Sequence, residues 1–252
     1  MRQPKTKPVI SRDRYDAVLF DLDGVITDTA SIHAACWKQM FDEYLHKRAM
    51  QGGEAFRPFD IATDYLLYVD GKPRYDGVRD FRASRGIQLS QGSPDDPPQA
   101  ETVDGLGNRK NDLVNKIIEE KGVEPYEGSV RLIHQLRDHG FKIAVVTSSQ
   151  NCAVVLRAAK SDHFFDVQVD GNTIHAQHLA GKPAPDTFLM AAKLLRIEPS
   201  RAVVIEDALS GVEAGSAGGF GLVIGVARKG NAGELRRHGA HLAVNDLGEL
   251  VD

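Results

Sequence analysis

The spacing of apolar residues changes character twice along the chain. Val18, Leu19 and Phe20 form an apolar run too short for an independent helix. Such a run suits a strand buried on both faces of a parallel sheet. It stops at Asp21-Leu22-Asp23-Gly24. After Thr29, residues Ile32, Ala35, Cys36, Met40, Phe41 and Leu45 recur at helical spacing and predict a helix with one buried face. From Gly52 to about Asn108 the pattern breaks up, with Pro58, Pro73, Pro94, Pro97 and Pro98 among glycines and charges. Short helices are expected over Asp60–Tyr68 and Asp76–Ser84. The stretch Gly86–Asn108 reads as a long ordered loop of the kind used as a lid or binding loop. A helix over Lys110–Lys121 turns Leu113, Val114, Ile117 and Ile118 inward and stops at Gly122.

From Glu127 onward, helix and strand patterns alternate. Helices are expected over Ser129–His139, from about Asn151, over Pro185–Leu195 and over Leu209–Ala217. Strands are expected over Lys142–Val146, Ala202–Ile205 and Gly221–Gly225, with a short last one near His241–Val244. This alternation predicts an α/β fold whose parallel sheet is covered on both faces. Ligands of such sheets sit at the carboxyl ends of strands. Asp21, Thr147 and Asp207 all fall at those ends, so three strands deliver polar groups to one crevice.

The chain of 252 residues is long enough for two domains. Its formal net charge of −4 provides no broad basic field for nucleic acid or an anionic membrane. Basic residues of functional importance are then local phosphate contacts. Cys36 and Cys152 are far apart, without metal-ligand spacing, and read as small buried thiols in a reducing compartment. Met1–Arg14 is polar and basic, lacks the apolar core of a signal peptide and reads as a loose terminus. No later run is long enough to span a membrane, so a cytoplasmic location is expected.

Two aspartates one residue apart at a strand end repel each other unless a cation lies between them. A hard ion with oxygen ligands, Mg²⁺ where phosphate is also bound, answers that need. The same residues also suit a solvated turn. With a phosphoryl group beside Asp21, its carboxylate can attack phosphorus and form an acyl phosphate. Asp23 can lie across the site as general acid/base, and Thr147 can serve an anion where helix N–H groups begin. Lys182, in the stiff loop Gly181-Lys182-Pro183-Ala184-Pro185, can aim its ammonium, and Glu206 and Asp207 add carboxylates for a metal. Singly, each has a bland alternative as strand end, helix cap, surface lysine or turn. Their joint occurrence in order is what points to one site.

Asp21-Leu22-Asp23-Gly24, Thr147, Lys182 and Glu206-Asp207 resemble, in that order, the four motifs of the haloacid dehalogenase superfamily of aspartate-nucleophile phosphotransferases. The resemblance implies a Rossmann-like core. It also implies Asp21 as nucleophile, Asp23 as acid/base, and Mg²⁺ held by Asp21, Asp207 and the Asp23 backbone carbonyl, with Glu206 in support. A carboxylate at position 23 argues for phosphoryl transfer and against dehalogenation.

Leu19–Asp28, Thr29, Ala30, His33, Trp37, Ser149, Asn151 and Lys182–Asp186 further resemble the β-phosphoglucomutase-like subfamily. That subfamily carries an α-helical cap after the first motif. The expected division is a loose 1–14, a core of 15–29 and 125–252, and a cap of 30–124. The resemblance implies a cap arginine and a cap lysine on the substrate. Lys110 and, by a weaker match, Arg74 fit, with Arg79 and Arg85 as other candidates. Thr29 and His33 would hold Asp23, while Ser149 and Asn151 would help form a second phosphate site. The implied reaction is a sugar-phosphate mutase; a Mg-dependent sugar-phosphate phosphatase and a silent sugar-phosphate sensor are the rivals. The expected partner is a small sugar phosphate, with no nucleic acid or membrane, on a monomer. The cap is longer than the compact subfamily version, across Gly52–Asp70 and Gly86–Asn108.

Overall fold

The structure, a computed structural model, describes residues 9–52, 55–228 and 230–251. Of the loose terminus expected over Met1–Arg14, residues 1–8 lie outside the described residues. The rest is anchored. Ile10 is buried against the core, and the amides of Arg14 and Tyr15 donate to the Ser11 carbonyl at 3.0 and 2.9 Å.

Among the described residues six parallel strands form one sheet: β1 (Ala17–Phe20), β2 (Lys142–Val146), β3 (Val167–Val169), β4 (Ala202–Glu206), β5 (Leu222–Val226) and β6 (Leu242–Val244). Their order is β3-β2-β1-β4-β5-β6. Side chains alternate between faces along a strand. Val18, Phe20, Ile143, Val145, Val203 and Ile205 therefore fill one core. Leu19, Ala144, Val146 and Val204 fill the other. Helices α4 (Glu127–Asp138), α5 (Cys152–Ala158), α6 (Gly171–Ala176), α7 (Asp186–Leu195), α8 (Leu209–Ala217) and α9 (Ala232–Arg237) accompany the strands. β1 pairs with β2 on one side and β4 on the other, so the winding reverses around it. The crevice at that reversal is where Asp21, Thr147 and Glu206 emerge.

Between β1 and α4 lie α1 (Ala30–Gly52), a π-helical turn (Ile61–Val69), α2 (Arg74–Ser84) and α3 (Val103–Lys121). They share an aromatic core. Phe41 lies 5.3 Å from Trp37, 5.1 Å from Phe59 and 4.1 Å from Phe81 between ring centroids. Such pairs add packing energy to their burial.

Two expectations are corrected in this unit. The chain over Asp60–Tyr68 winds as a π-helix, its amides reaching back five residues, as from Asp70 to the Tyr65 carbonyl at 2.9 Å. The long loop Gly86–Asn108 ends early, because α3 already begins at Val103. Thr102 caps it by accepting the Gly105 amide at 2.9 Å. Gly105 and Gly107, which read as loop residues, are there for close approach. A Cβ at Gly105 would lie 2.4 Å from the Ala100 carbonyl, and one at Gly107 2.7 Å from the Tyr75 ring. The shortened loop is laced to α3 by Asn108, whose amide donates to Pro94 and Asp96 carbonyls at 2.9 Å.

Cys36 and Cys152 are free and buried. Among the described residues no helix is long and apolar enough to cross a membrane.

Candidate active site

The Lys182 ammonium is the centre of the site. Its side chain is fully buried and donates at 2.6 Å to Asp21 Oδ1, at 2.6 Å to Glu206 Oε1 and at 3.2 Å to the Val146 carbonyl. Burial works against the charged amine. The Asp21 and Glu206 charges outweigh it and hold its pKa above the ordinary lysine value. Burial pushes the Asp21 carboxyl upward, and Lys182 opposes that. The second oxygen of Glu206 accepts the Ala208 amide at 2.9 Å, so both its oxygens are engaged.

Carboxylate oxygens of Asp21, Glu206 and Asp207 lie within 4.8 Å of one another. Oxygen ligands from three carboxylates gathered this closely suit a hard divalent cation. Gly24 makes room for this approach. Its φ is +92°, and a Cβ there would lie 2.1 Å from Asp207 Oδ2.

The Asp23 side chain turns away from that cluster. Thr29 donates to its Oδ1, and Thr147 donates to its Oδ2 at 3.3 Å. Thr29 is steadied in turn by Thr27 at 2.9 Å. His33 Nε2 lies 3.3 Å from Asp23 Oδ1, and Lys110 Nζ lies 2.6 Å from His33 Nδ1. An ammonium only donates, so Nδ1 accepts and the proton of the neutral ring belongs on Nε2, which lies near Asp23 without a hydrogen bond to it. Burial raises the Asp23 pKa, but His33 and Thr29 outweigh it and keep the carboxyl well below its ordinary range. Burial and Lys110 push His33 down, against Asp23. Burial brings Lys110 down to about 8.

A cavity of about 350 Å³ opens between these groups and the helical unit. Arg74, Lys110, Ser149 and Asn151 line it alongside Asp21, Asp23, His33, Thr147 and Asp207. Thr29 touches Asp23 from behind, and Lys182 and Glu206 form the buried floor. The Ser149 amide donates to Thr147 Oγ1 at 3.1 Å, which ties these neighbours together. Arg79 also reaches the wall but pairs with Asp76. Arg85 is held away by Asp64 at 2.6 Å. Sequence reasoning missed Tyr65, Asp70 and Asn111. Asn111 accepts from Asn151 at 2.9 Å and follows Lys110 directly; Asp70 directly precedes Gly71-Lys72-Pro73-Arg74. Their adjacency to those segments is the signal that could have found them.

A doubly covered parallel sheet with an aspartate pair, a threonine, a buried lysine and an acidic pair at its strand ends defines an enzyme acting on phosphoryl groups. Residues 15–219 match the model of the haloacid dehalogenase-like hydrolases, and the chain belongs to that family. It is 53% identical over 242 residues to a β-phosphoglucomutase of Mycobacterium bovis, covering 95% of this chain and 92% of that protein. It is 30% identical over 215 residues to a fructose-1-phosphate phosphatase of Escherichia coli, covering 84% and 96%. The crystal structure of β-phosphoglucomutase from Clostridium difficile superposes with a TM-score of 0.71 at 25% identity, covering 94% of this chain and 93% of that one.

Removing the Lys182 charge leaves two buried carboxylates without their counter-ion. Lys182→Met should cost about 3–5 kcal/mol in urea unfolding with chelator present. Divalent cation should return part of it by binding the folded state. Wild-type stability in chelator would contradict this account.

Proposed function

We propose that this enzyme is a β-phosphoglucomutase, interconverting β-glucose 1-phosphate and glucose 6-phosphate through β-glucose 1,6-bisphosphate. The observation that carries this reading is the approach of His33 Nε2 to Asp23 Oδ1 at 3.3 Å, with Lys110 against the other ring nitrogen and Thr29 donating to Asp23, which sets the acid/base against the helical unit over the site. The 53% identical relative of that name supports it.

In this reading Asp21 attacks the phosphorus of the bisphosphate. A bond forms from an Asp21 carboxylate oxygen to phosphorus as the bond from phosphorus to the sugar oxygen breaks, and Asp23 passes that oxygen the proton it took from a sugar hydroxyl in the other half-reaction. In the return half, Asp23 takes the proton of a sugar hydroxyl as that oxygen attacks the acyl phosphate. Lys182 stabilises the Asp21 carboxylate. Thr147 and the Ser149 amide serve the phosphoryl oxygens, and Arg74, Lys110, Ser149 and Asn151 hold the substrate. Asp21, Asp207 and the Asp23 backbone carbonyl would hold Mg²⁺, with Glu206 supporting them through Lys182. When bound, the ion neutralises charge between carboxylate and phosphoryl group. Residues 30–124 act as a cap. Thr29 at its hinge and His33 in its first turn hold Asp23 ready when it closes around a sugar.

With β-glucose 1-phosphate, Mg²⁺ and a trace of bisphosphate, glucose 6-phosphate should far exceed inorganic phosphate. His33→Ala should shift that ratio toward phosphate, and Asp21→Asn should abolish both products. Phosphate dominating in the wild type would favour a phosphatase.

The Lys110 ammonium is present below about pH 8 and lost above it. KM for the sugar phosphate should therefore rise as pH passes through about 8. The folded state releases this proton at about 8, below the ordinary 10.5, so the same group adds stability as pH rises through that window. Weakened binding without loss of fold is the expected pattern. A KM flat to pH 9.5, roughly the middle of that window, would contradict the role of Lys110.

A further inference from the structure

Four residues, Asp70 to Pro73, join the π-helical turn to α2, and they touch three loops of the core. Ser148, next to Thr147, donates to the Gly71 carbonyl at 2.7 Å. Ser210, in the first turn of α8 and three residues after Asp207, donates to the Asp70 carbonyl at 2.8 Å. Gly181, next to Lys182, lies against Pro73, where a Cβ on the glycine would come within 2.3 Å of the proline ring. Gly71 has φ +70°, and a Cβ there would lie 2.4 Å from Ser210 Oγ and 2.9 Å from the Ala208 Cβ.

Neighbours of Thr147, Lys182 and Asp207 thus all bear on one short segment. Carbonyls of a connecting segment usually face water. Here two successive ones are turned into the core, each toward a serine. The Ser210–Asp70 bond is buried, where losing one partner costs more than at a wet surface. Tyr65 and Asp70, both buried, line the cavity together with Asp207, and the Asp70 amide donates to the Tyr65 carbonyl at 2.9 Å, which joins this segment to that wall.

We propose that Ser148 and Ser210 are positioning residues that seat this segment on the core. In doing so they set how the phosphoryl group divides between a sugar hydroxyl and water. The division among products rests on the phosphotransfer reading above. The seating itself does not. With the hydroxyls in place, the wall of Tyr65 and Asp70 stays between the phosphoryl site and bulk water. Without them the segment lifts more often, and water reaches the acyl phosphate.

The test uses Ser148→Ala, Ser210→Ala and the double variant in the full chain. Enzyme phosphorylation by acetyl phosphate, a small donor that needs no grip from the helical unit, should stay within about twofold of wild type. The lifetime of the phosphoenzyme in water should shorten, about two- to tenfold for each hydrogen bond lost. With sugar phosphate, the share released as inorganic phosphate should rise in the same order. Ser148→Thr, which keeps the hydroxyl, should restore the lifetime. If the wild type makes no glucose 6-phosphate, the mutase reading fails, while the phosphoenzyme lifetimes still decide on the seating. A double variant with wild-type lifetime overturns the proposal. So does a loss of acetyl phosphate reactivity in step with the lifetime, because the serines would then be building the core loops.

Discussion

A buried ammonium between carboxylates from two adjacent strands constrains the rest of the molecule. Lys182 must enter a space walled by Asp21 and Glu206 with no exposure of its own side chain. Leaving either partner alone there would cost several kcal/mol. The surrounding chain is shaped to this pairing. Gly211 lets α8 press on Glu206 so closely that a Cβ would fall 1.7 Å from its Oε1. Gly24 lets the turn after β1 press equally on Asp207. The winding reversal around β1 places the acidic groups side by side. Three carboxylates gathered this closely suit a hard cation, and the proposed nucleophile, the buried floor and the proposed metal position share one electrostatic arrangement.

Much of this was legible in the sequence, because the core strands are continuous apolar runs that stop at polar residues. β1, β2 and β4 are of that kind, with Asp21, Thr147, Glu206 and Asp207 at their ends or directly beyond; Lys182 instead lies in the loop between α6 and α7. Elements without such a signal went unseen. β3 is Val-Gln-Val, with one side chain exposed, and α6 and α9 are six residues each. The start of α3 was hidden because Gly105 and Gly107 resemble a loop until Ala100 and Tyr75 are seen against them. The hydrogen bonds of Ser148 and Ser210 join residues 77 and 140 positions apart, and no local pattern reports them.

The second organising feature is the division of labour between the two aspartates of the first motif. Asp21 faces Lys182 and the acidic cluster. Asp23 faces Thr29, Thr147 and His33. Two residues of separation on a turning backbone thus put the carboxylates in opposite electrostatic surroundings, one against the floor and one toward the helical unit. Thr29, His33 and Lys110 connect the state of that unit to Asp23. In the proposed mutase reaction, that link reserves Asp23 as acid/base for a bound sugar within a fold shared with hydrolases.

In the proposed reaction Asp21 carries the phosphoryl group. Rapid quenching with β-glucose 1,6-bisphosphate and Mg²⁺, followed by borohydride reduction and peptide mass spectrometry, tests it most directly. If Asp21 is the acceptor, the acyl phosphate is reduced at position 21, leaving homoserine there and intact aspartates at 23 and 207. Reduction at either of those positions, or none under turnover conditions, would contradict it.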